Sequence, residues 1–186
     1  MLEQLFRPKW RHKDANIRIQ AVKAMRADDP VRLQLAQEDP SAEVRAIAVA
    51  ELSDARALAR SCAADPSPEV AHAARQRLSR WLAGMATDSP PLAQRLQGVA
   101  ELEDEAVLGF VLEQAREAEL RQQAIARIVS ETLLARCIAN EASGELRLQM
   151  VERLADETLL QQVIREIRTR DKRVARRARE KLEQIQ

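Results

Sequence analysis

Few side chains in this chain are suited to proton transfer, nucleophilic attack or metal binding. The histidines and cysteines are His12, His72, Cys62 and Cys137. A metal site requires several His, Cys or carboxylate ligands at short spacing, and neither histidine has such neighbours in the sequence. The cysteines stand in separate apolar segments, which predicts buried thiols in a reducing compartment. We therefore expect no metal, no catalytic role for these residues and a cytoplasmic location.

Carboxylates cluster at one place, and they too have a non-catalytic interpretation. The cluster contains Glu101, Glu103, Asp104 and Glu105. Acid–base catalysis by paired carboxylates requires a pocket that separates their pKa values, whereas this run lies at a predicted junction between helices. The motifs G-x-x-x-x-G-K-[ST], G-x-G-x-x-G and G-x-S-x-G do not occur. The sequence predicts a protein that is not an enzyme and uses no cofactor and no small-molecule substrate.

The strongest chemical signal is positive charge near the carboxy-terminal end. Residues 165–181 contain nine Lys or Arg against three acidic residues, although the net charge of the whole chain is +1. Cations at this density on a helix can contact phosphate groups, with an affinity that falls steeply with salt. The candidate phosphate-binding residues are Arg170, Lys172, Arg173 and Arg176. The same cations can equally pair with an acidic protein segment, so the nature of the anion stays open.

Composition indicates which elements must position these side chains. The chain has 186 residues, which suits a single domain. Ala, Leu, Arg, Glu and Gln dominate, whereas glycine occurs four times and aromatic residues make up 2%. The abundant residues favour helices, and strands and tight hairpins need the scarce ones. We therefore expect an all-helical protein. We also expect no membrane segment, since no stretch approaches the roughly 20 apolar residues of a membrane span.

A pattern of core residues recurs seven times, at spacings of 24 to 28 residues. Each copy begins with what we call its first core position, and the residues there are Ile17, Val44, Val70, Gln94, Leu120, Leu146 and Val174. Four residues later comes a small residue in six of the seven copies, and eight residues later comes Leu, Ile or Met. These positions share one helical face. A unit of about 26 residues cannot bury that face alone, so the copies must stack.

A shorter apolar segment precedes most copies of this pattern. The segments lie at 30–38, 55–64, 105–115, 131–139 and 157–167. Asp39 and Asp65 should end the first two segments, because each stands before a proline and such a residue avoids the α region. Ser67 followed by Pro68 predicts the start of the next helix. Each unit is thus predicted to be a short helix, a tight turn and a longer helix.

The fourth copy departs from the pattern. Its spacing from the third copy is the shortest, and Gln94 replaces an apolar residue. Its first helix, around residues 80–86, is poorly defined, and residues 87–91 (TDSPP) are the best loop in the chain. We expect an irregular step near residues 80–92 within one domain that covers residues 1–186.

The pattern D-P-x-x-x-V-R-x-x-A-x-x-x-L, found at residues 39–52, resembles HEAT-type repeats, especially the short bacterial HEAT-like kind. The resemblance covers nearly the whole chain and implies a right-handed α-solenoid, an armadillo-type superhelix, of about seven short helix pairs. The opening segment F-R-P-K-W-x-H-K (6–13) is also similar to the start of long helical bacterial proteins of unknown function. That similarity implies the amino-terminal part of a longer chain. Some HEAT-like proteins are DNA glycosylases and others attach chromophores, but the pocket aromatics and acidic sites those activities need are not identifiable here.

Arginine follows the first core position in five copies. These residues are Arg18, Arg45, Arg95, Arg121 and Arg147. In the third and seventh copies Ala71 and Ala175 stand there instead, and arginine is found one turn later, at Arg75 and Arg179. One interpretation is a ladder that ties each copy to acidic residues of the adjacent turn. The other interpretation is a basic groove.

A second polar column lies three and seven residues after the first core position. Its members are Gln97, Gln123, Gln149, Arg177, Arg127, Arg153 and Lys181. In HEAT-like stacks the second helices line the inner curve, so the resemblance implies that these side chains bind a partner there. A plain solvated face is the alternative. We expect a non-enzymatic scaffold that presents a concave helical surface to a protein partner of unknown identity, or alternatively binds a nucleic-acid backbone through the basic carboxy-terminal helix.

Overall fold

A computed structural model describes residues 8–185 of the chain, so Phe6 and Arg7 of the opening segment lie outside the described residues. The described part is all-helical and contains no strand, as the composition predicted. It has a short 3-10 helix, Lys9–Arg11, and twelve α-helices. These are α1 (Ala15–Lys23), α2 (Pro30–Glu38), α3 (Ala42–Ala50), α4 (Ala55–Ala64), α5 (Pro68–Leu82), α6 (Leu92–Ala100), α7 (Glu105–Gln114), α8 (Ala118–Arg127), α9 (Glu131–Ile138), α10 (Gly144–Glu152), α11 (Glu157–Ile167) and α12 (Lys172–Ile185).

The short apolar segments of the sequence coincide with five of these helices. α2, α4 and α11 have the predicted bounds, and α7 and α9 each end one residue earlier than predicted. Asp39 and Asp65 follow α2 and α4 in an extended conformation, as residues before proline should. α5 begins at Pro68, directly after Ser67. The turn chemistry predicted from the sequence therefore sets these helix ends.

Eight helices begin at a side chain that accepts a hydrogen bond from a backbone N–H of the first turn. These side chains are Asp14, Asp29, Asp54, Asp104, Ser130, Ser143, Asp156 and Asp171. Each one satisfies a donor that has no partner inside the helix, and the aspartates also place negative charge at the positive end of the helix dipole. Ser41 lacks this bond, and its own N–H donates to the Asp39 carboxylate.

The region before the fourth copy contains no short helix. α5 runs on to Leu82, and residues 83–91 form turns and irregular structure in place of the poorly defined helix expected around 80–86. Gly84 has a φ of 76°, and a Cβ at this position would lie 2.5 Å from a guanidinium nitrogen of Arg95. Glycine tolerates this φ and leaves room for the guanidinium, so both observations require it here.

The chain divides into two compact units, one ending at Trp81 and the other beginning at Leu82. In the first unit α1 contacts α3, and α2 contacts both α3 and α4. In the second unit α6, α8, α10 and α12 form one row in which each helix contacts the next. A second row contains α7, α9 and α11, and the pairs α7–α8, α9–α10 and α11–α12 join the rows. Within this unit, sequence neighbours are therefore also neighbours in space.

The predicted core columns are buried most completely in the second, third, fifth and sixth copies. In the first copy Ile17 is only partly buried, and Ile19 and Val22 supply the core instead. In the fourth copy Gln94 is exposed, and the small residue is Gly98, where an added Cβ would lie 2.8 Å from a methyl carbon of Leu82. The small residue thus permits the close approach of a neighbouring side chain at this point of the column.

Candidate binding surface

In all five copies that have it, the arginine after the first core position forms an ion pair with an acidic residue that precedes the next longer helix. The pairs are Arg18–Asp39, Arg45–Asp65, Arg95–Glu117, Arg121–Glu141 and Arg147–Asp171. The N–O distances lie between 2.6 and 3.0 Å, and the arginine side chains are 9–16% exposed. The structure therefore agrees with the ladder and not with the basic groove, because these guanidiniums are covered and already paired.

Two of the acidic residues also link one ion pair to the next. The Asp39 carboxylate accepts from Arg18 and from the Ser41 N–H (2.9 Å), and the Asp39 carbonyl accepts from Nη1 of Arg45 at 2.8 Å. Glu141 has the same arrangement in the second unit, between Arg121 and Arg147. A charge-assisted hydrogen bond is stronger than a neutral one, so both residues strengthen the connection between successive copies.

Hydrogen bonds from the arginines of the ladder lower the pKa of Asp65 and of Glu117. Hydrogen bonding to the Arg45 guanidinium holds the pKa of Asp65 below its usual value against the opposing effect of burial. Arg95 lowers the pKa of Glu117 in the same way. Both carboxylates are therefore stabilised in their ionised form by the folded state.

We expect the free energy of unfolding to fall as the pH is lowered below about 4, the ordinary pKa range of Asp and Glu. A carboxyl group whose pKa is lower in the folded than in the unfolded state contributes stability above its unfolded pKa. That contribution is lost as the pH falls through the folded value. Urea unfolding at a series of pH values from neutral to acidic measures the effect. The double variant Asp65→Asn/Glu117→Gln should lose less stability with acid than the wild type, and parallel curves for the two proteins would contradict the assignment.

Three predicted partner-binding cations donate to carbonyl oxygens at the carboxy-terminal end of the preceding longer helix. The contacts are Arg127 with Leu102, Arg153 with Ile125 and Ile128, and Lys181 with Glu152. A cation at this position satisfies carbonyls that have no helical donor and interacts favourably with the negative end of the dipole. The fourth cation, Arg177, pairs with Glu152 and Glu180. These side chains thus take part in the packing of the row.

The three glutamines of the same column remain directed to the surface. Gln97 is exposed and donates to Glu101 at 3.2 Å, within one turn of its helix. Gln123 and Gln149 are half-buried and make no hydrogen bond to other residues of the described range. One amide thus stands at the same offset on each of α6, α8 and α10.

The four candidate phosphate-binding residues have different surroundings. Arg170 donates to the Ala139 carbonyl at 2.8 Å, and Arg173 lies 3.2 Å from a carboxylate oxygen of Glu145. Arg176 lies 3.6 Å from Glu180 one turn away, and both side chains are largely exposed. Lys172 is exposed and has no ion pair with the residues that the structure describes. Arg170 and Arg173 therefore contact residues that precede them in the second unit.

Arg32 is a structural residue that the sequence did not single out. Its side chain is fully buried and donates to backbone carbonyl oxygens at the end of α1 and in α3. The acceptors are Val22 (2.8 Å), Met25 (2.8 Å), Arg26 (3.0 Å) and Ala48 (3.4 Å). On α2 this arginine has the pattern of an ordinary exposed helix residue, so no local signal marked it.

The groups with catalytic potential do not converge. His12 is exposed and its Nδ1 accepts from the Asp14 N–H, and His72 is exposed on α5. Burial, together with the nearby Glu113, raises the pKa of Cys137 to about 11, so this thiol is not ionised at neutral pH. Among residues 8–185 no group of three His, Cys, Asp or Glu side chains is placed to hold a metal ion. No helix in this range has the length and apolar character of a membrane span.

Comparisons with known proteins give no relative. None of the protein-family models, curated proteins or solved structures with which the chain was compared matches it.

Proposed function

We propose that the chain is a non-enzymatic cytoplasmic scaffold, a right-handed α-solenoid of about seven HEAT-like helix pairs that binds a protein partner on its longer helices. The observation that carries the proposal is the row formed by α6, α8, α10 and α12, in which each helix contacts the next. Equivalent residues of such a row repeat along one surface, and stacked helix pairs of this kind expose extended binding surfaces.

The surface of this row has chemistry suited to a polypeptide. The amide column Gln97, Gln123 and Gln149 offers both donors and acceptors, which match the N–H and C=O groups of a peptide backbone. With helix axes about 8–10 Å apart, successive amides would meet about every third residue of an extended chain that rises about 3.3 Å per residue. The column can therefore follow a bound segment of about six or seven residues, by the same order-of-magnitude spacing.

The internal network supports a preformed surface. The ion pairs hold successive copies together, and Arg127 and Arg153 connect each of their helices to the helix before it. In the described residues no buried side-chain nitrogen or oxygen lacks a hydrogen-bond partner. A rigid, fully satisfied framework lowers the ordering cost of binding, because the surface does not need to be assembled when the partner arrives.

Shallow clefts along the turns do not favour an enzyme. One cleft is lined by Arg45 and Asp65 and another by Arg121 and Glu141, which are already paired with each other. General acid–base catalysis needs a group with a pKa near the working pH that can reach the substrate. The charged side chains named in these clefts are held in ion pairs with each other and are not free to reach a substrate, which supports binding over catalysis.

Site-specific photo-crosslinking tests the proposal. A photoreactive amino acid at Gln123 or Gln149 should crosslink a defined protein in extract of the producing cells. The same label at the exposed Thr132 of α9 or Thr158 of α11 should not. Labels that react equally from both rows would place the partner elsewhere and contradict the proposal.

A matched pair of triple variants gives the energetic test with the captured partner. Gln97→Ala/Gln123→Ala/Gln149→Ala should weaken binding at least about tenfold, since each lost hydrogen bond contributes about 0.5–1.5 kcal/mol. Gln114→Ala/Thr132→Ala/Thr158→Ala removes three exposed polar side chains, one from each helix of the other row, and should bind as the wild type does. Equal losses in the two variants would contradict the assignment of the surface.

A further inference from the structure

One side of the last helix pair carries five exposed cations and is called the basic face. Its residues are Arg165, Arg168, Lys172, Arg176 and Arg179. Arg165 and Arg168 stand near the end of α11, and the other three stand at positions i, i+4 and i+7 of α12. Residues with this spacing share one stripe of a helix, and α11 contacts α12. The five cations are therefore presented by two adjoining helices.

On α11 the basic face replaces an apolar surface. In α9, Ala135 and Ile138 are each 1% exposed, and α9 contacts α11. The matching residues of the similar segment on α11 are Gln161, which is exposed, and Ile164, which is half-buried. Arg165 continues this stripe one turn further. The side of the helix that is apolar and covered in α9 is thus more polar and less covered in α11.

On α12 the same change occurs at two positions of the repeat. Gly144 of α10 lies close to Asp171, since a Cβ there would be 3.2 Å from its carboxylate, and Val151 is fully buried. Lys172 and Arg179 take these two positions in α12, and both are exposed. The closeness of Gly144 to Asp171 places the first of these positions on the side where the following pair packs, so Lys172 lies on the corresponding side of α12. Arg176 and Arg179 share its stripe.

The charges of the basic face are largely uncompensated. Lys172, Arg165, Arg168 and Arg179 form no ion pair with any residue from 8 to 185, and Arg176 has an exposed pair with Glu180. On the neighbouring stripe of α12, Arg173 and Arg177 are paired with acidic residues of α10. Glu166 and Glu183 are the exposed acids nearby in the sequence. The two stripes thus separate cations used in packing from cations presented to solvent.

We propose that the basic face binds the phosphate backbone of double-stranded nucleic acid. A duplex presents one negative charge per about 1.7 Å of its axis, and guanidiniums bind phosphate oxygens with two parallel hydrogen bonds. Ile164 is the one large apolar side chain among these stripes, and no aromatic residue belongs to the face. Single-strand binding uses aromatic stacking, and a protein interface uses aromatic or aliphatic anchors at its centre. No aromatic side chain for stacking or anchoring belongs to this face, and Ile164 is half-buried, whereas backbone binding needs only the cations.

Titration of the whole protein with a random-sequence duplex at several salt concentrations tests the proposal. With five phosphate contacts, the logarithm of the association constant should fall with the logarithm of the salt concentration at a slope of about −4 to −5. Binding should therefore be about 500-fold weaker at about 200 mM than at about 50 mM salt. The variant Lys172→Gln/Arg176→Gln/Arg179→Gln should reduce the magnitude of the slope by about 3 and lose most of the low-salt affinity. A single strand of the same length should bind more weakly than the duplex.

A control variant removes the same charge elsewhere. Lys23→Gln/Arg60→Gln/Arg116→Gln neutralises three exposed cations outside the basic face and should keep the wild-type slope. The proposal is overturned if the control variant loses as much affinity as the basic-face variant, or if the wild type fails to bind duplex even at low salt. Binding of poly-glutamate as tight as that of duplex would overturn it as well, in favour of an acidic protein partner. The glutamine variants leave this face intact, so the two proposals can fail separately.

Discussion

Replacing Arg32 with alanine is expected to lower the free energy of unfolding by about 3–5 kcal/mol. The Arg32 side chain has 0% exposure, so its removal leaves a cavity in the first unit. Its guanidinium donates to the carbonyls of Val22 and Met25 at 2.8 Å, where α1 ends. The carbonyl oxygens left without a donor and the cavity both contribute to this loss, and water that enters the cavity limits it by replacing part of the hydrogen bonding.

Urea unfolding followed by far-UV circular dichroism measures this loss. Arg26→Ala is the matched control, because Arg26 is 85% exposed and pairs with the exposed Asp28. An exposed ion pair contributes about 0–1 kcal/mol, so the control should unfold almost as the wild type does. Arg32→Lys should fall between them, since an ammonium cannot reproduce the planar fork of donors. If Arg32→Ala cost no more than Arg26→Ala, the buried network would have no energetic role.

The difference between Arg32 and the short helices shows what the sequence could predict. The segment at 30–38 could be predicted as a helix because its signals are local, namely its apolar pattern and Asp39-Pro40 at its end. The burial of Arg32 depends instead on carbonyls of α1 and α3, which other parts of the chain bring to it. Periodicity records which residue types share a face. It does not record where the backbone acceptors of a neighbouring helix lie.

The arginine column was predicted less completely than the helices. Its repetition after the first core position suggested a common role, but a ladder and a groove require the same residue type at the same spacing. The deciding fact is the position of the acidic partner, which is an aspartate five residues before the first core position at Asp39 but three residues before it at Asp171. Because this offset varies, the pairing could not be found by spacing alone.

The second polar column divides into two chemical groups for a similar reason. The cations seven residues after the first core position, such as Arg127, donate to carbonyls near the end of the preceding longer helix. Of the amides three residues after that position, Gln123 makes no hydrogen bond to another residue of the described range. From the sequence alone, both the cations and the amides are predicted to lie on the surface. A long cationic side chain reaches across to the next helix, and a shorter amide does not, so the structure was needed to separate them.

Replacing Asp39 with alanine should destabilise the first unit by about 3–5 kcal/mol, because it leaves the Arg18 guanidinium buried without a counter-charge. The Asp39 side chain is 2% exposed and that of Arg18 is 10% exposed, and the two are joined at 2.7 and 2.8 Å. The variant also removes the acceptor of the Ser41 N–H. Asp28→Ala, which breaks the exposed pair with Arg26, is the control and should cost less than about 1 kcal/mol.

A double-mutant cycle with Arg18→Met separates the pair from its surroundings. The double variant Arg18→Met/Asp39→Ala should recover part of the loss seen in Asp39→Ala, because the buried charge is no longer present. Recovery should remain incomplete, since Arg18 also donates to the carbonyls of His12 and Lys13. If the two single losses simply added, Arg18 and Asp39 would not be coupled, and the ladder would be a set of independent surface contacts. A coupling energy above about 1 kcal/mol between Arg18 and Asp39 would instead show that the ladder stabilises the packing of successive copies. Partner binding would then depend on side chains outside the ladder.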